Sequence, residues 1–541
     1  MKKYNIVYLL ATGLLALSSC DDYLDKVPDN RAEVNTEDKI SKLLVSAYAG
    51  HNSNLILEMS SDNARDNGSN YDFDAVEQEE AYLWKDQTSN DNDAVSDVWD
   101  ACYLAAAHAN QALAAIEDLG NPANLSAYRG EALLCRAWAH FQLANVFCLG
   151  YNPQTADSDL GLPYSMAPET QVKPDYQRGT MAELYKHISD DIEEGLPLID
   201  DNIYTVPKYH FNKKAAYAFA ARFNLFYQKW DKCIEYANAA LGSNPATSLR
   251  NWYHIVRELA SDYETRCNAY ISASENANFL LQTATSSSGY ILGAWSLGTR
   301  YGHEQPNIAR VETYRAPGIW GAWGSSVNVG LYMSHSNWGP VQTLNISKYY
   351  GYFEYIDKVN GIGYRRNVYV QLCGDETLLC RAEAYAVKGD LTNALKDMNL
   401  WYSTNSGSGT QITQELVNLC YGTYDAQTGA GMKYMDDGNG GPIAASADNG
   451  TAKKHLHPLG FTIGAEGSDQ ENMLQFILHM RRCQMMQEGG RWCDIKRWGI
   501  EIAHNREGLP DDKLLLNDPR RALQLPADVV SAGLTPNPRN N

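Results

Sequence analysis

Three helical segments of this chain carry one small-residue signature, and that recurrence limits the fold more than any other feature. Cys135-Arg136-Ala137-Trp138-Ala139 matches Cys380-Arg381-Ala382-Glu383-Ala384, and Ala221-Arg222 sits in a similar frame. Two of the three lead through a short break into a second helical pattern. Tyr227-Gln228-Lys229-Trp230 leads to Cys233-Ile234, and Val387-Lys388-Gly389-Asp390-Leu391 leads to Ala394-Leu395. Small residues let paired helices approach closely, and the aromatic or Leu after the break fills the gap. Apolar residues at three- and four-residue spacing predict helices over 98–119, 127–147, 180–199, 212–228, 230–241, 376–388, 391–401 and 472–488. Thr180 with Glu183 three residues on has the pattern of a capping box.

Paired helices with small contact residues work as a tetratricopeptide unit does. Here the pairs are scattered, not tandem, so the expectation is a mostly α protein. Helical parts at about 98–243, 374–402 and 469–500 form a curved scaffold. Loop-rich insertions at about 50–97, 244–372 and 403–468 interrupt it. Within them, residues 278–283 and 368–372 read as short strands. Turn signals such as Asp437-Gly438, Gly440-Gly441-Pro442 and Asn449-Gly450 mark the last insertion. Irregular segments of this length are usually functional.

The amino terminus predicts an address. Lys2 and Lys3 precede an apolar run from Ile6 to Ala16, too short to span a bilayer. Leu17-Ser18-Ser19-Cys20 follows, small residues leading into a cysteine, the pattern cut and acylated in bacterial lipoproteins. The expected division is therefore a signal peptide over 1–19 and a single domain over 20–541 anchored by lipid on Cys20. Asp21 and Asp22 directly after it resemble a surface-export signal. The net charge of −20 disfavours phosphate backbones and so nucleic acid. Ten cysteines remain after Cys20 with no CxxC pair. In a chain this long they read as buried thiols.

Three blocks carry a family resemblance. The first is Tyr128-Arg129-Gly130-Glu131-Ala132 through Arg136-Ala137-Trp138-Ala139-His140-Phe141. The second is Glu376-Thr377-Leu378-Leu379-Cys380-Arg381-Ala382-Glu383-Ala384-Tyr385. The third, the most specific, runs from Arg481-Arg482 through Glu488-Gly489-Gly490-Arg491-Trp492-Cys493-Asp494-Ile495-Lys496-Arg497-Trp498-Gly499. With Leu523-Gln524-Leu525-Pro526 and Asn537-Pro538 they resemble the SusD/RagB family of outer-membrane nutrient-binding lipoproteins over nearly the whole chain. His479 and Met480 stand where the family has Glu before the paired arginines, and Gln484-Met485 where it has Glu-Leu. The charged residues around Trp492 and Trp498 read as a buried ion-pair knot, for which the planar Arg fork is suited. The resemblance implies a SusD-like fold and a lipid-anchored protein facing the cell exterior. It implies capture of a glycan for a SusC-like TonB-dependent transporter, with no cofactor.

A sugar offers flat C–H faces and paired hydroxyls, so its site needs exposed aromatic rings with planar polar groups. Trp320 and Trp323, three apart in a glycine-rich loop, are the clearest pair, with Tyr314, Arg315 and Trp338 nearby. Trp295 and Tyr301 are weaker. By resemblance, Asp62, Asn63, Arg65 and Trp84 from the amino-terminal loop join them; a capped turn before a solvated loop is the alternative. Trp99, Trp138, Trp230 and Trp401 fall on helical faces and read as core.

Catalytic motifs are absent. There is no Gly-x-Ser-x-Gly and no P-loop, and Arg366 stands where Gly361-Ile362-Gly363 would need a third glycine. His455-Leu456-His457 lacks an HExxH helix, and Asp436-Asp437-Gly438-Asn439-Gly440 lacks the closing Glu of a calcium loop. No metal is expected. A peptide-uptake lipoprotein, a surface glycoside hydrolase and a protein-only scaffold are the alternatives to glycan capture.

Overall fold

The computed structural model describes residues 34–539, apart from 74, 170–175, 260–261, 294–298, 321–330, 334–335, 339–342 and 447–452. The amino-terminal part contributes α1 (Glu37–Val45), α2 (Asn54–Ser60), the two-residue β1 (Arg65–Asp66) and α3 (Val76–Tyr82). The scaffold starts with α4 (Val95–Asp118), α5 (Ser126–Phe147) and α6 (Met181–Gly195), followed by α7 (Lys213–Phe226) and α8 (Trp230–Leu241). Helix α4 packs on α5 along a stripe of Ala101, Ala105, Ala109 and Ala112, all buried. Thr180 caps α6 through the reciprocal bonds of a capping box with Glu183. Gly130 of α5 faces Gly195 of α6. A Cβ on Gly130 would come 2.9 Å from the Gly195 carbonyl oxygen and 2.8 Å from the Leu198 Cβ, so only glycine permits this approach.

The insertion holds α9 (Tyr263–Tyr270), β2 (Asn278–Thr285), α10 (Ser288–Ile291) and β3 (Tyr301–Gly302), which pairs with β1. Next come β4 (Ser336–Trp338), β5 (Thr343–Asn345), β6 (Tyr352–Asp357) and β7 (Ile362–Cys373). Strands β2, β7 and β6 form one antiparallel sheet in that order. β7 runs straight into α11 (Gly374–Val387), whose pair is α12 (Leu391–Asn405). After α13 (Gln414–Tyr421), α14 (Asp469–Gln484) packs on α11. Then follow α15 (Gly490–Arg497), the hairpin β8 (Ile502–Arg506) to β9 (Leu509–Leu514), and α16 (Ala527–Ser531). The protein is mostly helical, and no described helix is long and apolar enough to cross a membrane.

The recurring arginine has a recurring job. Arg136 on α5 forks onto Asp191 of α6 at 2.7 Å through both Nε and Nη2, and its Nη1 donates to Asn110 of α4 at 2.9 Å. Arg381 on α11 does the same with the same atoms. It forks onto Asp397 of α12 at 2.8 and 2.7 Å and donates to Asn238 of α8 at 2.7 Å. Each clamp ties three helices, and both asparagines lie in an Ala-Asn-x-Ala-Leu stretch, Ala109–Leu113 and Ala237–Leu241. The second clamp is split in sequence by residues 242–373, so the loop-rich insertion is spliced into a structural repeat. Arg222, the third copy, forks onto Glu376 at 3.0 and 2.9 Å. The ten cysteines after Cys20 are free thiols; Cys420 and Cys493 are half-buried and the rest buried.

Candidate functional site

The third charged block is a buried knot. Arg481 forks onto Asp494 at 3.0 and 3.2 Å, and Arg497 forks onto Glu383 at 2.8 and 3.1 Å while reaching Asp494 at 2.7 Å. Trp498 Nε1 donates to Glu383 at 3.1 Å. Each of these two arginines meets at least one buried carboxylate, so both are held within the scaffold.

That knot also absorbs candidates from the amino-terminal loop. Asp62 is 5 % exposed. It accepts the Arg491 fork at 2.8 and 3.0 Å and lies 3.4 Å from Arg482. Burial alone would raise its carboxyl, but Arg482 and Arg491 hold it well below the usual carboxylate range. Asn63 accepts from Arg482 Nε at 2.8 Å and donates to Glu58 at 3.0 Å. Trp84 donates to the Ser60 carbonyl at 2.8 Å and stacks on His504 at 4.1 Å, with only 4 % of its surface exposed. These three are corrected from ligand contacts to core: each buries the polar group or ring face it would have to present. Arg65 is half-buried and bonds the Ala445 carbonyl.

The insertion splits similarly. Trp320 is buried, donates to the Ala316 carbonyl at 2.8 Å and packs on His479 at 5.5 Å, so it plugs the core beneath its loop. Tyr314 is buried with its hydroxyl donating to the Cys483 carbonyl at 2.6 Å, which seals the end of α14. Tyr301 is buried too, stacked against Tyr82. Trp323 and Trp295 lie outside the described residues. Trp338 ends β4, and its side chain also lies outside them.

Arg315 is the exception. It is half-buried, and its guanidinium makes no hydrogen bond to a described residue. Burial and the neighbouring Arg310 charge both push its pKa down. An arginine whose five donors meet no described acceptor has room to bind one.

Sequence reading missed an aromatic pair of one exposed and one half-buried ring. Tyr253 is 45 % exposed, and its ring lies 5.3 Å from that of Tyr332 in an edge-on arrangement. Tyr332 is pinned by its backbone, N–H to the Asn405 carbonyl at 2.8 Å, beside the Leu331–Ser406 bridge. Leu331 and Met333 are buried, and Tyr332 between them is half-buried, packed against the core. The apolar-Tyr-apolar alternation was available as a signal for Tyr332. Nothing local could pair it with Tyr253.

These features define a class: a helical-repeat scaffold closed by a buried ion-pair knot, carrying a long insertion with an exposed Tyr253 ring and an Arg315 guanidinium that bonds no described residue. Residues 22–225 match the SusD-like family described as "Starch-binding associating with outer membrane". Over nearly its full length the chain shares its fold with a SusD superfamily protein from Bacteroides thetaiotaomicron VPI-5482. That match has 16 % identity, 93 % and 99 % coverage of this and that chain, and a TM-score of 0.59. A SusD superfamily protein from Bacteroides vulgatus ATCC 8482 aligns at 16 % identity, 94 % and 100 % coverage and a TM-score of 0.61. A laminarin-binding SusD-like protein aligns at 15 % identity, 93 % and 99 % coverage and a TM-score of 0.52. No curated protein sequence matches. The chain therefore has a SusD-like fold, with the family match itself confined to residues 22–225.

Proposed function

We propose that this protein captures oligo- or polysaccharide at the outer membrane and passes it to a SusC-like TonB-dependent transporter. Lipid on Cys20 holds it there, facing the exterior, and it acts by binding rather than catalysis. The observation that carries the reading is the family match, to a family described as starch-binding and associating with the outer membrane. The neighbour described as laminarin-binding supports the same ligand class. The insertion supplies the chemistry. Tyr253 and Tyr332 offer ring surface for sugar C–H faces, and Arg315 offers donors for hydroxyl pairs. Trp323 and Trp338 of the same insertion remain candidates for further stacking.

The test is a glycan array probed with the detergent-solubilised full chain, wild type against Tyr253→Ala with Tyr332→Ala, and against Arg315→Ala. Covering one ring is worth about 1–2 kcal/mol, so losing both weakens binding tenfold or more. Binding of a glycan class by wild type, weakened in either variant, supports the reading. Absence of glycan binding by wild type overturns it.

A further inference from the structure

A roomy cleft lies away from the insertion. It has a volume of about 570 Å³ and opens between the first half of α4, the segment from Pro163 to Glu169, and the turn after α16. Its walls are Trp99, Tyr103 and Tyr176, with Val529 and Leu534 opposite. That size lies within the range of small-ligand sites, about 300–1,000 Å³. Trp99 tilts against Tyr103 with ring centroids 4.8 Å apart. Trp99 is more than nine-tenths buried, with its indole N–H at the accessible edge and making no hydrogen bond to a described residue. A donor at the edge of a cleft and not already bonded within the protein can donate to a ligand held there.

The other polar groups follow a pattern. Tyr103 spends its hydroxyl proton on the Pro163 carbonyl at 2.9 Å, which leaves an oxygen lone pair. Ser165 Oγ accepts from Asn110 Nδ2 at 3.0 Å, which leaves its proton free to donate. Glu169 accepts from the Tyr176 hydroxyl through Oε1, and no described residue bonds its Oε2. The cleft thus offers two donors, two acceptors and three ring faces. A cation would satisfy Glu169 and the rings but would meet the Trp99 and Ser165 donors head-on. A carboxylate or phosphate would face Glu169. A neutral ring with hydroxyls on its rim, which both donate and accept, satisfies all of them.

We propose that this cleft is a second carbohydrate site, holding one or two pyranose rings, separate from the insertion and lined by α4 and the carboxyl-terminal turn. Its carbohydrate class agrees with the proposed function, but its residues are different, so the two can fail independently. A chain with both would hold a long glycan at two points.

The experiment is isothermal titration of the detergent-solubilised full chain with malto- and laminari-oligosaccharides of two to four residues. Three variants are compared with wild type: Trp99→Phe with Tyr176→Ala, Glu169→Gln on the exposed rim, and Tyr253→Ala with Tyr332→Ala. The proposal expects the first to weaken at least one oligosaccharide tenfold or more, Glu169→Gln to weaken the same one several-fold, and the insertion variant to leave that binding event in place. Glu169→Gln keeps the test alive if the double variant folds poorly, since Glu169 is exposed. If both cleft variants bind as wild type does while the insertion variant loses binding, the cleft proposal is overturned and the proposed function stands. If wild type binds none of these sugars, the cleft proposal is overturned as well.

Discussion

The arginines of the knot and the arginine of the insertion sit under opposite rules. Arg481, Arg482, Arg491 and Arg497 are buried, each on at least one carboxylate. Arg315 is only half-buried and engages no described acceptor. Desolvating a guanidinium is tolerable when its whole donor fork is met at once, and that consumes the group. A group kept for a ligand has to be left incomplete. Charge-rich, signature-rich blocks are here built into the scaffold, with their carboxylates and arginines bonded to each other. The scaffold uses its charges on itself, and the insertion leaves some unspent.

The largest effect separating the two regions should come from Asp62. Asp62→Ala would strand Arg491 and weaken the hold on Arg482 and Lys454, all buried. Removing one partner of a buried pair costs about 3–5 kcal/mol. Urea unfolding should show a midpoint drop of that size. A loss below about 1 kcal/mol would mean that the knot is looser than its geometry indicates.

The two clamps give an internal control of intermediate size. Arg136→Lys and Arg381→Lys keep the charge but lose the two-point fork on Asp191 and Asp397. Each should cost about 1–3 kcal/mol, and the two costs should agree because the atoms used are the same. If Arg136→Lys were costly and Arg381→Lys were not, the spliced repeat would not be an energetic copy of the first.

What was legible in the sequence was local. The Thr180 cap, the helix over Trp230–Leu241 and the split of the chain into helical and loop-rich parts depend on neighbours within a turn or two. The knot was readable because Arg481, Asp494 and Arg497 lie within one short stretch. Asp62 was not: its partners Arg482 and Arg491 stand over four hundred residues away, and in isolation Asp62-Asn63-Ala64-Arg65 looks like an open polar turn. Trp320 misled for the same reason, since only the fold brings His479 beneath it. The Ala-Asn-x-Ala-Leu stretches were in plain view, but their meaning depends on an arginine from another helix.

Acidity offers a subtler comparison. Glu58 is buried beside the knot without a direct ion pair among its hydrogen-bond partners. It accepts from Gln487 N–H at 2.8 Å and Asn63 at 3.0 Å, yet burial still lifts its pKa to about 7. The fold thus favours the protonated form. This contribution is present below the unfolded value near 4.5 and is lost as pH rises through about 7. His479 runs the other way: burial lowers it to about 4, so its share is lost as pH falls from about 6.5 towards 4. Glu58→Gln should flatten the decline of melting temperature between pH 5 and pH 8, by a few degrees. The slope is the readout, because the amide cannot accept from Gly489 N–H as the carboxylate does. An unchanged slope would place the titration elsewhere.

The smallest stability effect should come from Arg315, and its smallness is the point. Arg315→Gln removes a partly desolvated charge that faces Arg310 and surrenders no hydrogen bond to a described residue. Its unfolding free energy should match or slightly exceed wild type, within about 0.5 kcal/mol. A residue retained for folding would show a loss there; a residue retained for a ligand would show the loss in glycan binding instead. If Arg315→Gln lowered stability by more than about 1 kcal/mol and left glycan binding intact, the contrast between a saturated scaffold and an unsaturated insertion would fail at its most exposed point.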